Sequence, residues 1–506
     1  MLTAARLGAT TLAGLLLAGT AAAPALADTT PPPAPAAAPA EVYGKGDPTY
    51  DGVWRQSLAL TALAGAQVVP ADSAVNWLTG QQCADGGWPS YRAATATACD
   101  PKTEDSNATA MAIQALSALG GHQDAVGKGV DWLRSSQNSD GTWSFNPGNP
   151  GDANSTGLAV SALLATRTDP ATVAKDGKSA YDGLAGFQLG CNAPADQRGA
   201  FGYQPAADGT LAANGLASAQ TALAAAGGRL PVTTTDRTEG APKALSCAAG
   251  STEKAVPRAD SAEAAAAYLN AQLAANGQHL MQTMPGAAPT PDYTATAWAV
   301  LSLIQAGHPQ QAASAADWLA GNGYDWAAKG KSGTDASAAA SMLLVAQAAK
   351  LDPYNFGGTN VVQLLVNAGP APKKLPTAAV SAASENPDGT KAPGSGITEA
   401  DDNSGFSPIW LVGIGLLVGI GGGLLLSLNR RRGAHQQSSG SAPDAPATDE
   451  RPEASEAEKP EAEKPGAEKS EAEKPGAEKP GAEKSEGEKS EGEKPEAETS
   501  EGDPKK

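Results

Sequence analysis

The 506-residue sequence is poor in aromatic side chains, at 5% of the total, and has only four histidines and four cysteines. Bases are also short, 36 against 54 acids, for a net charge of −18. Each shortage excludes something. Phosphate backbones are bound by clustered Lys and Arg, so no nucleic-acid partner is expected. The histidines, at 122, 279, 308 and 435, are scattered, and none stands at ligand spacing from a cysteine. No metal and no cofactor are therefore expected. A phosphate-cradling loop and a Ser/His/Asp arrangement are likewise missing. His122 and His308 each follow a glycine at a helix end and read as surface residues.

Long apolar runs are confined to the two ends. Residues 1–27 read as a signal peptide: Arg6, an apolar or small stretch Leu7–Thr20, then Ala25-Leu26-Ala27 at a cleavage position. Residues 408–428 read as a transmembrane helix. Its uncharged stretch Ile409–Leu428 would extend about 30 Å, the thickness of a bilayer's hydrocarbon core. Asp401 and Asp402 precede it and Arg430, Arg431 and Arg432 follow, which predicts a single-pass cell-membrane protein with its C-terminus in the cytoplasm. Residues 28–49 form a Pro/Ala-rich linker expected to make no core, 371–407 a disordered stalk, and 429–506 a disordered acidic tail of Glu-Lys-Pro and Glu-Lys-Ser repeats. In an exported chain the cysteines are expected as disulfides. Of three possible connectivities, Cys83 with Cys99 and Cys191 with Cys247 is favoured, since each pair closes one loop between helices.

What remains, residues 50–370, is internally repetitive. Six segments open with Asp and run on apolar, at Asp51, Asp105, Asp152, Asp208, Asp292 and Asp335. Segments of a second type carry Trp77, Trp132, Tyr181, Tyr268 or Trp318 beside charged residues, and Trp77 to Trp132 is a step of 55 residues. Two helices per repeat of this length make an array of helical hairpins. The Asp-led helices are apolar all round and read as inner, whereas the Trp-led helices have one wet side and read as outer. A ring of six hairpins would bury the inner set, so the fold class expected is all-α: an α/α toroid, with a last outer helix at 359–366 and an extra loop near 230–258 tethered by Cys247.

Between outer and inner helices lie Gln82-Cys-Ala-Asp85-Gly86-Gly87-Trp88 and Gln137-Asn-Ser-Asp140-Gly141-Thr142-Trp143. In both, Asp-Gly suits a turn with positive φ, the Gln can bond back to open helix ends, and the Trp packs over the junction. These turns resemble the repeats of squalene cyclases and protein prenyltransferase β-subunits, terpenoid-cyclase-like α/α toroids. The resemblance implies an isoprenoid chemistry whose residues are not matched. In place of an Asp-x-Asp-Asp acid the nearest segment is Thr103-Glu104-Asp105-Ser106, and no Asp/Cys/His zinc set is present. In fewer features the chain also resembles the toroid of extracellular cobalamin carriers, though it lacks their second domain.

The reading is a non-catalytic surface protein whose partner, outside the cell, is a small apolar or corrinoid-like ligand or another protein. The alternative is a cyclase or prenyltransferase-like enzyme using Glu104 and Asp105. Candidate ligand-rim residues are Asp51, Trp54, Asp105, Asn107, Asp152, Asn154, Asp208, Asp292, Tyr293 and Asp335, where helix capping is the plainer role for the aspartates. Trp77, Trp132 and Trp318 read as core, and Trp88 and Trp143 as turn locks.

Overall fold

A computed structural model describes residues 37–283 and 286–376. The segments expected as signal peptide, transmembrane helix and tail, and most of the expected stalk, lie outside the described residues, as does the whole of a second unit, Ser438–Lys506. Among the described residues no helix is long and apolar enough to cross a membrane.

The described residues are mainly helical. In order come α1 (Gly52–Gly65), α2 (Asp72–Gly80), α3 (Ser106–Leu119), α4 (Gln123–Ser136), α5 (Ala153–Ala165) and α6 (Ala180–Ala185). Then follow α7 (Gly215–Ala225), α8 (Arg258–Ala275), α9 (Tyr293–Gln305), α10 (Pro309–Asn322), α11 (Tyr324–Ala328), α12 (Ala336–Ala349) and α13 (Val361–Asn367). Among the described residues the strands are two small antiparallel pairs, Ala174–Lys175 with Lys178–Ser179 and Leu280–Gln282 with Thr290–Asp292.

The two helix types behave as the apolar pattern predicts. In α3 every residue from Ser106 to Leu116 is buried except Asn107, whereas in α4 only Gly129, Val130, Trp132 and Leu133 are. The buried helices pack in succession, α1 on α3, α3 on α5, α5 on α7, α7 on α9 and α9 on α12, and α12 returns to α1. Alanine on most faces lets these helices approach closely without a gap. They run parallel. At one end the Ser90 carbonyl accepts from Val53 N–H of α1 at 2.9 Å while the Ser90 hydroxyl donates to Asp105, which caps α3. At the other end Gln347 of α12 donates to the Ala62 carbonyl of α1, and Gln305 of α9 to the Ala226 carbonyl after α7.

The seam is closed by both ends of the described domain. Gly44 N–H donates to the Ala368 carbonyl at 2.8 Å, Gly369 lies so close to the Tyr43 ring that an added Cβ would collide with it, and Val69 pairs with Lys374. The expected extra loop is present between α7 and α8. Its start crosses the C-terminal ends of the inner helices: Leu230 N–H donates to Gln114 Oε1 of α3 at 2.9 Å, Pro231 lies against Gly65 of α1, and Gly228 against Gln305 of α9. Cys191–Cys247 ties the far part of this loop down, and Cys83–Cys99 closes the first turn, with Cα separations of 5.5 and 5.8 Å.

Two expectations are corrected. Asp208 does not open a helix: it is exposed in a turn, its carboxylate accepting from the N–H and hydroxyl of Thr210, and Asn214 caps α7 instead. His308 is not at the surface. It is fully buried, with Nε2 2.9 Å from Glu263 of α8, because the turn before α10 packs inward.

Candidate functional site

The starts of the inner helices are built by one repeated turn. Trp88 and Trp143 are wholly buried, and each indole N–H donates to the last turn of the preceding outer helix, Leu78 O and Leu133 O at 2.9 and 2.8 Å. Gln82 Nε2 bridges the Gly86 carbonyl and the Ala125 carbonyl of α4, and Gln137 bridges Gly141 and Val173 in the same way. Gly86 and Gly141 hold φ of 107° and 85°, and a Cβ on either would collide with the carbonyl of Lys128 or Ser179. Asp85 and Asp140 each accept the backbone N–H two residues on. The turn therefore welds one hairpin to the next.

A third copy escapes the sequence motif. Gln188 Nε2 bridges the Gly199 carbonyl and the Ser261 carbonyl of α8, Gly199 has φ 84°, and Phe201 stands buried where the others have Trp. All three copies share a partner that sequence reading missed. The N–H of Trp88, Trp143 or Phe201 donates to the hydroxyl of Thr109, Thr156 or Ser218 at 2.8, 3.0 and 2.9 Å, and Leu280 does so with Thr296. Each hydroxyl lies four residues after the helix cap, so Asp/Asn-x-x-x-Thr/Ser was the available signal.

The caps themselves are confirmed at four aspartates. Asp105, Asp152, Asp292 and Asp335 accept from backbone N–H groups of the first turn, donors that a helix start otherwise leaves unpaired. Asp51 stands at the start of α1 without a capping bond and instead pairs with Arg55 at 2.8 Å. Burial pushes the carboxyls of Asp105 and Asp152 up to about 6 against their cap bonds, and also raises Asp292 and Asp51. Glu104, 1% exposed, is pushed by burial and by Asp85 to about 7; its Oε2 accepts from Trp132 Nε1, and its Oε1 has no hydrogen-bond donor.

Residues two positions after a cap lie about 200° around the helix from the fourth, so they face away from the turns and toward the middle of the cycle. Asn107 and Asn154 occupy those positions. Asn154 donates to Gln220 of α7, whereas Asn107 Oδ1 is buried without a donor. Trp54 and Tyr293 are half-buried, and Tyr293 stands in a column of rings between Trp318 and Trp326, with His279 on the far side of Trp318. Two open clefts stand elsewhere: about 290 Å³ lined by Pro89, Tyr91, Arg92, Cys99 and Thr103 among others, and about 390 Å³ between Asp317 and Gly357. Neither is lined by an inner helix.

Residues 43–157, which hold both unbroken turns, match the family model of the squalene-hopene cyclase C-terminal domain. This match supports a terpenoid-cyclase-like family. The crystal structure of a protein from Actinoplanes is similar to this chain at 15% identity, covering 61% of this chain and 91% of that one, with a TM-score of 0.36. The curated proteins contain no match.

Proposed function

We propose that the chain is an exported, single-pass surface protein whose terpenoid-cyclase-like domain is an α/α toroid that binds rather than transforms its ligand. The binding place is the mouth at the inner-helix starts. One observation carries this reading: the two ends of the helix cycle are unlike. The C-terminal end is crossed by 228–232, while the start end carries half-buried Trp54, Asn107, Asn154 and Tyr293. Aromatic edges with a few amides suit a small, neutral, largely apolar molecule, corrinoid-like ones included, or a segment of a partner protein. Four of the six rim acids, Asp105, Asp152, Asp292 and Asp335, are engaged as caps, which favours binding over acid catalysis. Export and anchoring rest on the sequence, through the signal-like start, the uncharged 20-residue stretch and the arginines after it.

The raised acids Glu104 and Asp105 favour one rival, an isoprenoid cyclase or transferase. Thermal melts of the full-length protein in detergent, with cobalamin, farnesol and farnesyl diphosphate in turn, separate the two. A neutral compound at a hundredfold excess over its Kd should stabilise the protein by about 2.7 kcal/mol without being consumed. Conversion of an isoprenoid, lost in Asp105→Asn, would overturn the binding reading.

A further inference from the structure

The first disulfide stands in surroundings that a merely structural bond does not require. A carboxyl oxygen of Glu104 and the two sulfurs of Cys83–Cys99 all lie within 4.8 Å of one another. The sulfurs are bonded to each other, so this is not a thiolate ligand set for a metal. The two ends of the bond differ in access. Cys83 is 5% exposed, whereas Cys99 is half-buried and lines the 290 Å³ cleft together with Arg92, Thr97 and Thr103. An incoming thiolate therefore has access to Cys99 from the cleft, while Cys83 is buried.

We infer that Cys83–Cys99 is an exchangeable disulfide in which Glu104 serves as the proton donor to the leaving sulfur of Cys83. The attacking species is a small or protein thiolate. Its sulfur bonds to Cys99 Sγ, the Cys99–Cys83 bond breaks with its electron pair going to Cys83, and the Glu104 carboxylic acid passes its proton to that sulfur. A mixed disulfide, a Cys83 thiol and a Glu104 carboxylate result, so the single negative charge is carried from the attacking thiolate to Glu104.

The need for the proton follows from burial. A Cys83 thiolate would be stranded in a low-dielectric site, and thiol–disulfide exchange slows as the leaving thiolate becomes harder to form. Glu104 holds its proton up to about neutral pH for the same reason, helped by the nearby Asp85 charge. The other charged group facing it is Arg92, which opposes the effect. That guanidinium is already engaged by the carbonyls of Gln82, Thr95 and Thr97 at 2.9, 2.5 and 2.7 Å. The Trp132 indole of α4, a neutral donor to Oε2, also favours the carboxylate and more strongly than Arg92, yet burial and Asp85 prevail; Asn146 reaches only the Glu104 backbone carbonyl. Cys191–Cys247 is an internal control. Among the described residues, no carboxyl stands within 4.8 Å of both of its sulfurs.

The test uses the full-length protein in detergent and dithiothreitol as the thiol. Reduction of each disulfide is followed by alkylation and peptide mass mapping between about pH 6 and pH 8.5, and rates are divided by thiolate concentration. For Cys83–Cys99 the normalised rate should fall roughly tenfold as Glu104 ionises, since a like charge then faces the leaving sulfur. For Cys191–Cys247 it should stay level. Glu104→Gln should flatten the first profile and leave the second unchanged, which also shows that the fold survives. Asp85→Asn should move the fall to lower pH. Parallel profiles for the two disulfides in the unaltered protein would overturn the inference even if Glu104→Gln failed to fold. So would a fall that persists in Glu104→Gln, or one that Asp85→Asn leaves in place.

Discussion

Asp105 is pulled in two directions. Its Oδ1 accepts from Asn107 and Ala108 N–H at 2.7 and 3.0 Å and its Oδ2 from Ser90 at 2.8 Å, which favours the carboxylate, yet burial wins and the carboxyl rises to about 6. Because the folded value lies above the unfolded 3.8, its contribution is full below about pH 4 and is lost as pH rises through 6, by roughly 3 kcal/mol at most. Asp105→Asn keeps an acceptor at the cap and removes the ionisation. Urea melts at pH 5 and pH 7.5 should show a smaller loss between the two than in the unaltered protein. Asp105→Ala should cost about 1–2 kcal/mol at pH 5 through the lost cap. If the Asn variant keeps the full pH dependence, the raised carboxyl is not Asp105.

The aspartate caps could be read from the sequence because Asp followed by small residues and an apolar run states its own local chemistry. Asp208 misled because Asp208-Gly-Thr satisfies its hydrogen bonds within the turn, and only the Ser218 spacing singles out Asn214. His308 gave no signal, since its burial depends on Glu263 in a helix far earlier in the chain.

At the scale of elements, the unit of construction is the turn together with the hydroxyl four residues into the inner helix. Thr156 receives the Trp143 N–H in a fully buried site, so Thr156→Val leaves that donor unpaired and should cost about 1–3 kcal/mol, while Thr156→Ser should cost much less. Equal losses in denaturant melts would mean that shape, not the hydrogen bond, matters there. Two copies of this turn were legible because Gln, Asp-Gly and Trp fall at fixed spacing. The third was not, because ten residues, 189–198, separate Gln188 from Gly199 where the other two copies have three, and Phe201 replaces the Trp. The longer copy keeps the Gln bridge and the bond from the Phe201 N–H to Ser218, while the indole bond is lost with the Trp. The Asn107 and Asn154 positions were legible as rim candidates, but the ring column around Tyr293 was not, since Trp318 and Trp326 come from separate helices.

For the whole molecule, the inner and outer assignment of helices followed from which segments carry charge, and α12 packs back on α1. Where the protein sits relative to a membrane is an expectation from the sequence alone. Protease treatment of intact cells should remove residues 28–408 and spare the tail; loss of the Glu-Lys-Pro tail with retention of the helical domain would reverse the orientation.

The seam has a further consequence. Gly44 and Ala368 are one hydrogen bond apart, so the domain enters and leaves at the same spot, and the chain order around the cycle is an accident of where it was cut. A circular permutant joining 370 to 42 through a short glycine linker, opened instead at the exposed Gly120-Gly121 pair after α3, should fold with its helices intact. Loss of cooperative unfolding in that permutant would show that the cycle closes from its natural start and not from anywhere along it. If the permutant folds, a guest domain could be carried at Gly120-Gly121 while the original ends stay sealed.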